Sequence, residues 1–348
     1  MIMIDRGFEA GDFVNGPLPV WLRGDDPIVL ATSVCIHRNL SGFRFPHCAK
    51  KTELQDVCKE VLKAATKSGR YKQFKFDLVS SMSFHLRNLI YERRVAQPLA
   101  YDLDLDLFPM MLLLSDDETK SVVVNANDHI EARVNRPGFD LDTCFAEATE
   151  LVDCMSLKYA KNDAFGYLTA SPAIMTTGLE VEILMHIPGI LFNYENDKWS
   201  TFAKAHGVNP DGFFGIGSIP LGNMFTFCNK TTHRQSLNQA TERFNTVIPK
   251  LVEIEEEARM EDQEGRDDNI ARALGVLKYA KTITFLESMA AISMLRLGMD
   301  FGLYKDYQYD TIKKLCASVF DRHLIHSTKC APDNVDQVRS DLIRRALN

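Results

Sequence analysis

The sequence predicts an α+β protein that continues into a helical C-terminal region. Before about residue 235, short apolar runs typical of strands are mixed with helical periodicity, and beyond that point helical periodicity dominates. The chain has 348 residues, which suggests two domains at roughly 100–200 residues each. We therefore predict a first domain over residues 1–255 and a helical region over residues 256–348.

The first clear element is a helix that we predict to begin at Thr52. Thr52 and Gln55 have the spacing of a capping box, and Ser68-Gly69 is a typical end signal. Between them, apolar residues recur at helical spacing. These residues are Leu54, Val57, Cys58, Val61, Leu62 and Ala65.

Three apolar segments have the character of strands. Residues 110–114 and 122–124 flank the turn Asp116-Asp117, which predicts a hairpin leading into residues 125–134. Residues 180–186 alternate, with Val181, Ile183 and Met185 on one face and Glu180, Glu182 and Leu184 on the other. The charged run 253–265 is expected to be solvated, as a helix end or a linker.

The composition excludes several classes of protein. The chain has 40 Lys and Arg against 47 Asp and Glu, a net charge of -7, which argues against non-specific nucleic-acid binding and a polybasic membrane surface. No apolar run is long enough to cross a bilayer, and no signal peptide is recognisable. The eight cysteines include no C-x-x-C pair. We expect reduced thiols in a cytoplasmic protein.

General catalytic motifs are weak in this chain. There is no Walker A or Rossmann glycine pattern. The glycine-rich segment 212–218 fits either a tight turn or a loop whose amides hold phosphate. Ser171 lacks the sequence context of a nucleophile. Two cysteines and two histidines could in principle bind zinc, although their spacing is atypical: Cys35, His37, His47 and Cys48.

A series of short motifs is more specific in combination. They are RNLSGFRFP at 38–46, NANDHI at 125–130, GYLT at 166–169, Pro172, TGL at 177–179, HIP at 186–188, GFFGIGSIPLGN at 212–223, LRLGMDFG at 295–302 and DLIR at 341–344. In order and spacing they resemble the ATP:guanido phosphotransferase family and, within it, the bacterial protein-arginine kinases. The resemblance implies an antiparallel sheet flanked by helices, with a helical C-terminal region.

Active members of this family transfer the γ-phosphoryl group of Mg-ATP to a guanidinium nitrogen. Such a site needs arginines to hold the triphosphate and carboxylates to orient the guanidinium and accept its proton. In this chain the last Arg of the family's S-S-R-x-R-x-x-R-N motif is kept as Arg38. Five phosphate-binding arginines are replaced, by Ser33, Cys35, Glu131, Glu180 and Asp211.

Other positions of the implied site have changed as well. The family's two glutamates, one of them the implied base, correspond to Ala126 and Asn127, and its reactive cysteine corresponds to Ser171. Ile216 stands in place of a further glutamate, and Arg93 aligns with a nucleotide-contacting histidine. The glycines of the nucleotide loop, Gly212 and Gly215, are kept.

We therefore predict a pseudokinase that acts as a regulator or scaffold through protein contacts, without a cofactor. The resemblance implies an active homologue, a zinc-finger activator or a protease-adaptor pathway as partners, and a possible homodimer. The alternative is an active protein-arginine kinase that uses ATP and Mg, with Arg133 as the one plausible replacement for a lost arginine.

A second site is implied near the C-terminus. Bacterial protein-arginine kinases carry an R-D-x-x-R-A motif that holds phosphoarginine, and here Asp336 and Arg339 match it while the first arginine is absent. Asp336 could pair with a guanidinium and Arg339 with phosphate, which would make the chain a phosphoarginine-binding module. The alternative is an exposed i,i+3 ion pair on a final helix.

Overall fold

An eight-stranded antiparallel sheet organises the first two thirds of the chain. The computed structural model describes residues 7–96, 108–192, 198–229, 231–232 and 235–348. The strand order is β2-β3-β4-β5-β1-β8-β10-β9, and a separate hairpin is formed by β6 and β7. The strands are β1 Val29–Arg38, β2 Phe74–Leu78, β3 Met111–Ser115, β4 Lys120–Val124, β5 Ile130–Pro137, β6 Lys161–Asn162, β7 Gly166–Tyr167, β8 Leu179–His186, β9 Val208–Asp211 and β10 Met224–Asn229.

Helices flank the sheet and make up the C-terminal region. The antiparallel sheet with flanking helices, followed by a helical region, confirms the predicted α+β class. The helices are α1 Ala10–Val14, α2 Lys51–Ser68, α3 Phe84–Glu92, α4 Leu141–Asp153, α5 Pro188–Phe192, α6 Lys198–Ala205, α7 Leu237–Met260, α8 Gln263–Tyr279, α9 Phe285–Asp300, α10 Tyr309–Ser318, α11 Asp321–Thr328 and α12 Val335–Leu347. None of the helices in the described ranges is both long and apolar enough for a bilayer span.

The apolar stripe of α2 is buried against the sheet, except that Leu62 is only partly buried. The predicted start at Thr52 was wrong, because the helix begins at Lys51. The Glu53 carboxylate accepts the backbone N–H of Lys50 and pairs with Arg44, so Glu53 rather than Gln55 closes the first turn. The helix ends before Gly69, whose φ of 71° suits a residue without a side chain.

The two faces of the sheet have different environments. Alternate residues of the central strands point into the main core, which α2, α4 and α7 cover. On the opposite face, α1 and α3 cover β3 and β4, while the C-terminal helices pack near Leu184 and Met224. Between these two apolar areas, the central strands carry polar side chains.

The charged run 253–265 is not simply solvated. Glu255 and Arg259 are buried on α7, where the Glu255 carboxylate accepts the backbone N–H groups of Gly189 and Ile190. Arg259 donates to Glu255 at 2.7 Å and to Asp300 of α9 at 3.2 Å. Helix α7 therefore runs through the predicted domain boundary at residue 255, and the helical path breaks only at residues 261–262. The boundary itself remains a prediction.

Candidate functional site

The centre of the sheet carries a layer of polar side chains that we call the polar face. It comprises Ser33, Cys35 and His37 of β1, Glu131, Arg133 and Asn135 of β5, and Glu180 and Glu182 of β8. All of these residues are buried except Glu180, which is half-buried. The register thus brings together four of the five positions that the family resemblance assigns to phosphate-binding arginines.

Arg133 occupies the middle of the polar face. Cys35 lies opposite Arg133 on one neighbouring strand and opposite Glu180 on the other. Because the thiol is small, the guanidinium reaches across it to Glu180 Oε1 at 3.1 Å and to Glu182 Oε2 at 2.9 Å. Burial alone would lower the pKa of Arg133, but Glu182 and Glu180 raise it, so the guanidinium stays charged. Arg133 is held by acids of the chain itself.

Arg94 is a member of this network that sequence reasoning missed. It follows α3 with a φ of 61°, a conformation uncommon outside glycine. Its guanidinium lies 3.5 Å from Glu182 Oε2 and donates to Thr226 Oγ1 at 3.2 Å. No sequence signal distinguishes Arg94 from Arg93, which was predicted at the nucleotide site.

Arg93 points elsewhere. It forms a bidentate ion pair with Glu118, at 2.8 and 2.9 Å, and donates to the Pro17 carbonyl. These contacts tie the N-terminal segment to the β3–β4 turn. The structure therefore does not bring Arg93 to the polar face.

His37 is surrounded by carboxylates. Its Nδ1 lies 3.2 Å from Asp128 Oδ2 and 3.8 Å from Glu131 Oε1, and its Nε2 lies 3.8 Å from Glu180 Oε2. Burial alone would lower the pKa of His37, but the charge of Glu131 and the hydrogen bond with Asp128 raise it well above 6.5. A protonated His37 is therefore a second internal cation at the polar face.

The raised pKa predicts a pH-dependent contribution to stability. Since His37 binds its proton more tightly in the folded chain, its stabilisation is fully present below pH 6.5 and is lost as the pH rises through the folded-state pKa. We expect urea unfolding between pH 6 and 9 to show a stability difference between wild type and His37→Gln that shrinks as pH rises. His47→Gln, at an exposed histidine, is the control, and an H37Q difference independent of pH would contradict the prediction.

The remaining polar-face residues of β1 are neutral. Ser33 Oγ donates to Asn135 Oδ1, and burial raises the pKa of the Cys35 thiol, so it remains protonated.

The other two candidate zinc ligands lie away from the polar face, because His47 and Cys48 are exposed on the short helix Pro46–Cys48. In the described ranges, no group of His, Cys, Asp or Glu has the geometry to hold a metal ion. All eight cysteines are free thiols.

Arg38 and Asp128, which both match the family motifs, hold loops together. The Arg38 guanidinium lies 3.4 Å from the centre of the Tyr167 ring and donates to the carbonyls of His37 and Thr177, both at 2.8 Å. Asp128 accepts hydrogen bonds from His37, the Asn39 amide and the backbone N–H of Ala170. Both side chains are engaged in structural contacts.

The three positions of the implied catalytic groups surround Asp128. Ala126 is half-buried against the cluster that includes α3, and Asn127 is exposed, with its backbone N–H donating to Glu131 Oε1 at 3.0 Å. Ser171 is exposed next to Ala170, the residue that donates to Asp128. The loops meet as the resemblance implies, but none of the three side chains is a carboxylate or a thiol.

The glycine-rich segment is a turn closed on itself. The N–H groups of Phe213 and Ser218 donate to the carbonyls of Ile219 and Gly215. Those of Phe214, Gly215 and Gly217 donate to Ser218 Oγ, the Gly212 carbonyl and Asp211 Oδ1. A Cβ on Gly212 would lie 2.2 Å from the Ser218 carbonyl oxygen. These donors have partners within the turn, so the tight-turn interpretation is favoured over a phosphate loop. Ile216 is 72% exposed at the tip.

Arg339 forms buried ion pairs and hydrogen bonds that join the C-terminal helices. It is fully buried, whereas Asp336 and Asp321, which both accept from it, are partly exposed. Its guanidinium also donates to the carbonyls of Val319 at 2.8 Å and Ile283 at 2.9 Å. The prediction of an exposed i,i+3 ion pair was therefore wrong for Arg339. Phosphoarginine binding by Asp336 and Arg339 remains a prediction.

Comparisons with known proteins agree with this architecture. The sequence profile of the ATP:guanido phosphotransferase C-terminal catalytic domain matches residues 56–258, more than half of the chain. The profile of the protein-arginine kinase McsB C-terminal domain matches residues 263–348. The protein-arginine kinase of Halothermothrix orenii is 28% identical, with 97% of this chain and 99% of the relative covered. That of Brevibacillus brevis is 27% identical, with 96% and 97% covered.

Solved structures share the fold. A lombricine kinase structure matches with a TM-score of 0.58 at 16% identity, over 71% of this chain and 75% of that one. The duplicated taurocyamine kinase from Schistosoma mansoni with bound transition state analog components matches with a TM-score of 0.58 at 19% identity, over 69% of this chain and 36% of that one.

Proposed function

The chain belongs to the ATP:guanido phosphotransferase family, and from that premise we propose that it is a pseudokinase of the protein-arginine kinase type. The observation that carries the proposal is the ion pairing of Arg133 with Glu180 and Glu182. The polar face is buried and its charges are paired internally, where the family resemblance implies a row of arginines facing a triphosphate. The side chains of the polar face therefore do not fit the triphosphate of ATP.

The binding free energy lost with the missing arginines supports the same conclusion. A charge-assisted hydrogen bond contributes roughly 1.5–3 kcal/mol, so five missing arginines remove roughly 7.5 kcal/mol even at the low end. That is nearly the whole of a micromolar affinity, which corresponds to about 8.2 kcal/mol. Glu131, Glu180 and Asp211 at these positions would also repel an anion. A missing general base lowers the rate by a further factor of roughly 10²–10⁴.

Mg-ATP is expected to leave the melting temperature of the purified chain unchanged. A ligand at about 100 times its dissociation constant stabilises by about 2.7 kcal/mol, so binding would be visible. The protein-arginine kinase of Brevibacillus brevis serves as the positive control, and Mg with inorganic triphosphate detects non-specific stabilisation by an anion. Mass spectrometry for phosphoarginine after incubation with Mg-ATP is expected to find none.

An active protein-arginine kinase is the second candidate, because the relatives covering nearly the whole chain carry that name. A melting-temperature rise specific to Mg-ATP, or phosphoarginine formed by the chain, would favour it over the pseudokinase. Either result would require ATP and Mg at a rebuilt site.

A regulatory or scaffolding role through protein contacts completes the proposal. The closed glycine turn presents two apolar side chains to solvent, Ile216 and Ile219, on a backbone held by its own hydrogen bonds. Such rigid exposed apolar residues are suited to contacts with another protein. We propose that this role is cytoplasmic and that the partner is an active homologue, a zinc-finger activator or a protease adaptor. We also propose a homodimer, which analytical sedimentation of the purified chain would detect.

A further inference from the structure

A groove of about 470 Å³ lies between α3 and α11, beside the start of α1. It is therefore built by both the sheet-containing part of the chain and the C-terminal helical region. We call its apolar lining residues the floor and its basic and titratable ones the rim; the floor consists of Ala10, Leu86, Leu89 and Ile325. Its rim carries basic and titratable side chains, namely His85, Arg322, His326 and Lys329, and Ser83 and Cys330 complete the lining.

The charge of the rim contrasts with that of the chain. The whole chain has 47 acids against 40 Lys and Arg, yet the described residues that line the groove include no acid. Within the described residues, no carboxylate oxygen lies within 4.0 Å of a charged nitrogen of Arg322 or Lys329. The Arg322 side chain instead lies 3.4 Å from His85 Nδ1. The nearby acid Glu92 accepts the backbone N–H groups of Arg322 and His323 at the start of α11.

An exposed aromatic residue extends the apolar surface beside the rim. Phe84 is 57% exposed at the first position of α3. The guanidinium groups of Arg322 and Arg87 lie 5.4 and 5.9 Å from its ring centre. A peptide crossing the groove would meet an apolar floor, a phenyl ring and two cations, Arg322 and Lys329, that have no carboxylate oxygen of the described residues within 4.0 Å.

We infer that this groove binds an acidic peptide segment of a partner protein through an apolar anchor side chain. The floor would bury a side chain of leucine or phenylalanine size, since apolar area removed from water stabilises by roughly 25 cal/mol per Å². The rim would pair with flanking Asp or Glu residues, because complementary charge gives orientation and specificity. The inference concerns a surface away from the polar face and is independent of whether ATP binds.

The test begins with phage display of random dodecapeptides on the immobilised full-length chain. We expect enrichment of peptides in which a leucine or an aromatic residue is flanked by acids.

The most enriched peptide, carrying a fluorescent label, is then titrated with the protein and followed by fluorescence anisotropy. Neutralising the rim with Arg322→Gln and Lys329→Gln should weaken its affinity by about tenfold, and added salt should weaken the wild-type affinity. Lys63→Gln with Lys67→Gln, two exposed positions on α2, is the matched control and should change nothing.

A positional measurement separates this groove from other surfaces. Cys330 lines the groove, whereas Cys48 is exposed elsewhere. Saturating peptide should slow alkylation of Cys330 by iodoacetamide, followed by mass spectrometry, and leave Cys48 unaffected. The proposal is overturned if acidic apolar peptides are not enriched, if R322Q/K329Q binds as tightly as wild type, or if Cys330 is not protected. Self-association of the wild type that R322Q/K329Q abolishes would instead assign the groove to a second copy of the chain.

Discussion

Replacing Arg133 with methionine is expected to lower the free energy of unfolding by about 3–5 kcal/mol, the usual cost of removing one partner from a buried ion pair. The substitution removes the 2.9 Å contact to the buried Glu182, which still has Arg94 at 3.5 Å, and it takes the nearest cation away from Glu180. Methionine has a similar length and fills much of the same space, so the loss is mainly electrostatic. Urea unfolding at neutral pH measures it.

The same strand supplies a matched control. Arg136 also pairs with an acid, Glu147, but both side chains are partly exposed, and surface pairs contribute about 0–1 kcal/mol. Arg136→Met should therefore cost less than about 1 kcal/mol. Adding Glu180→Gln to Arg133→Met should recover part of the stability, because it removes the acid that has lost its nearest cation and leaves Glu182 to balance Arg94.

The outcome also bears on function. A stable Arg133→Met protein would mean that Glu180 and Glu182 do not depend on this cation, and Arg133 would then be available for an anion. That result would remove the main support for the pseudokinase proposal. A strongly destabilised R133M that E180Q partly restores would assign Arg133 to the fold.

Local periodicity was sufficient to predict individual elements. The stripe of α2 and the alternation in β8 depend only on neighbours in sequence, so Leu54 and Val181 could be assigned to the core without a structure. The start of α2 was predicted wrongly because a distant contact decides it. Arg44, outside the helix, pairs with Glu53 and favours that side chain as the acceptor at the first turn.

The polar face required the cross-strand register. Arg133 and Glu180 are 47 residues apart and lie on β5 and β8, which are separated by β1. Sequence reasoning identified Glu180 as a departure from the family pattern and Arg133 as a plausible replacement for a lost arginine, but it could not tell that the two side chains pair with each other. Glu182 carried a usable signal, since an acid between apolar residues of a strand needs a buried partner. Arg94 carried none.

Arg339 is buried although the alternative prediction placed it on an exposed helix face. The i,i+3 spacing with Asp336 is typical of an exposed helix face, and the guanidinium is completely buried only because α12 packs against other parts of the chain. Asp321 and the carbonyls of Val319 and Ile283 come from other elements. Arg339→Met is therefore expected to destabilise the C-terminal region by about 3–5 kcal/mol. Arg344→Met is the control, because Arg344 and Asp341 form a partly exposed pair on the same helix.

Two measurements on the full-length chain separate a structural Arg339 from a phosphoarginine ligand. If Arg339 holds α12 to its neighbours, R339M should accelerate amide hydrogen exchange in α11 and α12, whereas R344M should not. Calorimetric titration of the wild type with free phosphoarginine should then give no heat, because Asp336 and Asp321 already neutralise the guanidinium. Phosphoarginine binding that R339M abolishes, with exchange in both helices unchanged, would contradict the structural role and favour the phosphoarginine-binding module.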